Sequence, residues 1–166
     1  MKQFKLGVWI AGLVFLQTVL SVFFNYNGIL PDLMFSFAIA YAAYERSLKS
    51  VMWVTVICGI ITCASVADEF VFVMIIFVAG AAVTYMLYDA PHRMAGAMRA
   101  LTGAVLFTAA GGLVTYMLTT LSFDLSYFLY RILPITALNA VCAVLIYAGL
   151  VKCFDIKDTA KKLIIS

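Results

Sequence analysis

Residues 70–88 read FVFVMIIFVAGAAVTYMLY, nineteen residues without a single charge. At 1.5 Å per residue a helix of that length covers about 28 Å, close to the roughly 30 Å of hydrocarbon in a bilayer. The run is apolar on every side, so it offers no face to water. Working outward, comparable apolar runs occupy 6–24, 33–44, 51–67, 100–121 and 132–151. The run at 33–44 is short. It is expected to gain a turn from Ile29-Leu30-Pro31-Asp32, with Pro31 in the first helical turn and Asn27-Gly28 supplying the preceding turn. Only Asp68-Glu69 divides the third run from the fourth, and the length argument favours a hairpin there over one kinked or re-entrant element.

Composition agrees with the runs. The 166 residues are 66% hydrophobic and 11% charged, with a mean hydropathy of +1.09, whereas soluble domains average about 45–50% apolar and about 25% charged. The reading is an all-α polytopic membrane protein, a bundle of six transmembrane helices forming a single domain over 1–166. Lys2 and Lys5 precede the first run in the manner of a secretory signal. The run is longer than a signal core of about 7–15 residues, however, and Ser21–Asn25 offers no small-x-small cleavage site. It reads as a retained helix.

Charge sets the orientation. With both termini in the cytoplasm, ten of the eleven basic residues fall in cytoplasmic segments, and only Arg131 lies on the far side, where Asp32, Asp68, Glu69 and Asp124 gather. Aromatic residues around 123–131 suit the outer interface, and that stretch is expected to lie partly along the surface. Nucleic acid is not implied.

The residues give little support to catalysis. His92 is the sole histidine, so no triad or histidine-based zinc site can be assembled. There is no glycine-rich phosphate loop with its lysine, and Asp68 and Glu69, being adjacent, point apart. Cys58, Cys63, Cys142 and Cys153 show no ligand spacing and read as small buried residues. No cofactor is expected, and the chain reads as a non-enzyme.

The sequence is richer in packing devices. Gly96, Ala100, Ala104, Thr108 and Gly112 recur at every fourth position and make one small-residue face on the fifth span. Such a face lets helix backbones approach closely in lipid, either a partner's helix or, the reading favoured here, another helix of the same bundle. Polar side chains within spans are candidate functional residues by default. Asp32 can cap its helix, Arg131 can reach the headgroups and Gln17 can bond a neighbouring backbone. Asn139 lies about two turns inside the last span and should hydrogen-bond another helix. Asp68 closes the third run.

Three segments resemble the rod shape-determining protein MreD family. They are Pro31-Asp32-Leu33 opening the second helix, Asp68 closing the third, and Leu133-Pro134 followed by Asn139 and a run to Lys152 in the last. The sequence departs from that pattern at Leu30, where a basic residue often precedes Pro-Asp, and at Glu69–Phe72, where glycine is more usual. The resemblance implies a non-enzymatic scaffold in the bacterial cytoplasmic membrane, part of the elongation complex that directs lateral peptidoglycan synthesis. Its implied partners are MreC and, through it, MreB, RodA and a penicillin-binding protein. Pro31, Asp32, Asp68, Pro134 and Asn139 are the residues it singles out. The family is similar in fold to the substrate-binding subunits of energy-coupling-factor vitamin transporters, which supplies the alternative function.

Overall fold

The computed structural model describes residues 2–23, 29–64, 70–87, 95–120 and 124–164. Among them every regular element is helical. The helices are α1 (Lys2–Phe23), α2 (Leu33–Tyr44), α3 (Leu48–Cys63), α4 (Phe70–Met86), α5 (Gly96–Thr120), a single turn α6 (Leu125–Tyr127) and α7 (Leu133–Ile164). A π-helical turn, Phe128–Ile132, joins α6 to α7.

Side-chain contacts fix the relative directions. Lys5 Nζ donates to the Cys153 carbonyl at 3.0 Å and a Cβ on Gly149 would meet Trp9, so α1 and α7 run antiparallel. The Cys63 thiol reaches the Phe70 carbonyl and Gly59 abuts Met74, which makes α3 and α4 an antiparallel hairpin. Gly103 meets Thr84 and Gly111 meets Ile76 across α4 and α5. Gly96 faces Tyr147 while Gly112 faces Ile132, so α5 and α7 are antiparallel too. Phe35 packs edge-on to Phe77, and Ile39 lies against Gly80, so α2 runs parallel to α4. Direction therefore alternates along the chain. Lys5, Arg46, Lys49 and Arg99 share one end of the bundle, and Arg131 lies at the other.

Three helical stretches, Gln3–Phe23, Gly96–Met117 and Leu125–Phe154, are long and apolar enough to cross a membrane; Leu33–Tyr44, Leu48–Cys63 and Phe70–Met86 are shorter apolar helices. Large apolar side chains such as Phe15, Trp53, Val71 and Leu145 point outward, more than half exposed, on four different helices. Water would penalise that surface heavily, whereas lipid does not.

The core is α2. From Leu33 to Ala43 every residue is buried, whichever way it points. The sequence explains why: LMFSFAIAYAAY has apolar or small residues on all faces, and Ser36, Ala38, Ala40, Ala42 and Ala43 let neighbouring backbones close in. Helix α1, by contrast, has only 6% of its most apolar window buried.

Two expectations need correction. Ile29–Asp32 adds no helical turn to the second span, because Pro31 holds the preceding residue out of the α region and Asp32 is extended, at φ −87° and ψ 98°. The helix starts at Leu33. From Leu125 onward, the stretch expected along the surface instead winds continuously into α7. The π turn falls where Pro134 supplies no N–H to residue 130 and its ring crowds that carbonyl, so the widened turn follows from the sequence.

Candidate functional site

A helix begins with four backbone N–H groups that lack intrahelical acceptors. At the start of α2 these groups lie within the thickness of the bundle. Leu33 sits level with Gln17, six residues (about 9 Å) before the end of α1 at Phe23. Hydrocarbon offers such groups no partner, so side chains must.

They do so in a single cluster. The Asp32 carboxylate accepts from the Phe35 N–H at 2.9 Å, the N-cap bond. Gln17 Oε1 accepts from the Leu33 N–H at 2.9 Å. Asn139 Oδ1 accepts from the Asp32 N–H at 2.7 Å, and its Nδ2 donates to Thr108 Oγ1 at 3.2 Å. Because the Asp32 main chain can only donate there, the orientation of the Asn139 amide is fixed. Ser36, one turn along α2, donates its hydroxyl to the Asn139 main-chain carbonyl at 3.2 Å. Four helices, α1, α2, α5 and α7, are thus tied at one point. The carboxylate also lies where the α2 dipole favours negative charge.

Of the residues singled out from sequence, Asp32, Asn139 and Thr108 meet directly, with Pro31 immediately before the cap. Pro134 stands five residues before Asn139 in α7 and shapes the π turn rather than joining the cluster. Asp68 and the turn around it lie outside the described residues. The small-residue stripe faces inward: Gly96 and Thr108 meet α7, Gly112 meets Ile132 in the π turn that leads into it, and Ala100 and Ala104 are fully buried.

Ser36 was missed, although its place four residues after Asp32 puts it on the cap's side of the helix. Also missed was a second cluster at the basic end. There Glu45 accepts from the Arg46 and Ser47 N–H groups and from the Tyr41 hydroxyl, which also contacts Ser50 at 2.8 Å. It closes the turn between α2 and α3. A glutamate just after an apolar run and followed by a serine was the available signal.

Beside the junction, between α2, α4, α5 and α7, lies a cavity of about 370 Å³. Asp32, Thr108 and Asn139 border it, as do Phe35, Phe77 and Phe107. Toward the far end of the bundle it is lined by Tyr116, Tyr127 and Arg131. The two tyrosine rings stack at 4.0 Å, and the Arg131 guanidinium lies 5.6 Å from the Tyr127 ring centre.

The arrangement can bind and position a small molecule beside the junction. Among the described residues no group of three or more His, Cys, Asp or Glu side chains converges to hold a metal. Cys58 and Cys63 are buried free thiols, as expected, but Cys142 is half-buried and Cys153 is exposed, which corrects the reading of all four as buried residues. The chain matches no known protein family, curated protein or solved structure in comparison with each of them.

Proposed function

We propose that this chain is a non-enzymatic scaffold of the bacterial cell-elongation complex, of the MreD kind. It crosses the cytoplasmic membrane six times with both termini inside and assembles with MreC, and through MreC with MreB, RodA and a penicillin-binding protein. The observation that supports this reading is the polar junction. Pro31-Asp32 and Asn139, which carry the resemblance, lie 107 residues apart and meet in hydrogen bonds whose role is to fix helices in place. A residue set spent on holding backbone N–H groups suits a protein whose product is a shape. The outward-facing apolar side chains of α1, among them Val8, Phe15 and Phe23, are available to a partner's helix.

The test is recovery from mild detergent. Tagged protein should bring down MreC in near-equal amount, and depletion should round the cells. A substrate-binding subunit of a vitamin transporter is the second reading, favoured by the cavity beside Asp32. A preparation carrying a vitamin at near-equal stoichiometry, with MreC absent, would replace the scaffold by that subunit.

A further inference from the structure

The cavity beside the junction has a volume within the range of roughly 300–1,000 Å³ usual for small-molecule sites. Its lining is graded from one end to the other. At the inner end Asp32, Thr108 and Asn139 present a carboxylate, a hydroxyl and an amide. The middle is apolar, walled by Phe35 and Phe77, which pack edge to face at 5.2 Å, and by Phe107. At the mouth stands Arg131, its guanidinium carried on the Tyr127 ring, which is braced in turn by Tyr116. From Asn139 to Arg131 the chain covers eight residues, or about 12 Å along the helix.

We infer that this cavity binds an elongated organic anion: a carboxylate or phosphate at one end and a neutral hydrogen-bond donor at the other, about 12 Å apart across an apolar body. Arg131 selects the anion and holds it by charge-assisted bonds. Asp32 accepts a hydroxyl or amide N–H at the inner end. An ammonium group is disfavoured, because reaching Asp32 means crossing the aromatic stretch stripped of water. The inference rests on the chain lying in a membrane, and it does not depend on which proteins bind it.

The probe is radiolabelled ω-hydroxydecanoate, presented to the full chain in lipid nanodiscs, with decanoate and decanediol as analogues lacking one end each. Saturable binding above that of empty nanodiscs is expected, with both analogues weaker. Arg131 is exposed, so Arg131→Gln should leave folding intact while weakening ω-hydroxydecanoate about tenfold or more, to the level of decanediol. Ile135→Trp, which fills the cavity wall, should abolish binding; if that variant does not fold, the Arg131→Gln comparison still decides. Binding no better than that of empty nanodiscs, or binding unchanged by Arg131→Gln, overturns the site. MreC recovered with the parent chain while all three probes fail would sink the cavity inference alone; probe binding without MreC would sink the scaffold reading alone.

Discussion

Asn139 is only 2% exposed and sits between two helices, taking one main-chain N–H and giving one of its own to Thr108. Replacing it with leucine keeps the volume and removes both bonds, leaving the Asp32 N–H without an acceptor. In membranes such contacts are worth about 0.6–2 kcal/mol, the low side arising because the unfolded chain also finds partners. Asn139→Leu should therefore lower unfolding stability in detergent by about that amount, while Asp32→Asn, which keeps an N-cap acceptor, should stay near the parent. Equal losses for the two variants would mean that the carboxylate charge, not the cap geometry, holds the junction. The need of Asn139 for a partner was legible from its depth in the last span. Its partner was not, because a main-chain N–H at Asp32 carries no signature in the side-chain sequence.

At the scale of elements, the fifth and last helices make the closest seam, and the stripe from Gly96 to Gly112 lies inside it. A Cβ on Gly112 would stand 3.2 Å from the Ile132 side chain, which already lies close against the α5 backbone. Ala104, fully buried in the middle of the stripe, has no room for three more carbons. Ala104→Leu is expected to cost about 1–3 kcal/mol by overpacking, and the variant should accumulate poorly and melt earlier in detergent. Normal accumulation and an unchanged melting temperature would place the α5–α7 seam elsewhere. The every-fourth-residue spacing announced a close contact, but sequence left open which helix would fill it. Helix α2 teaches the converse: its twelve residues rise only about 18 Å, short of the hydrocarbon thickness, and Pro31 with Asp32 stops it from growing.

For the whole molecule, alternating helix direction brings the described basic side chains, Arg131 apart, to one end of the bundle, and the proposed topology puts that end in the cytoplasm. In a cysteine-free background, single cysteines at Asn27 and Lys49 should differ in intact cells, only the first reacting with an impermeant thiol reagent. Labelling at Lys49 alone would invert the protein. The sequence by itself determined the helical class, the apolar runs, the charge asymmetry and the list of intramembrane polar residues, because each follows from local composition and periodicity. Only the tertiary structure decided that α2 starts inside the bundle, that Gln17 and Asn139 are consumed by its first N–H groups, and that a graded cavity opens beside them. Those outcomes depend on which surfaces meet across 107 residues of chain, and main-chain donors and empty space are invisible in a string of side chains.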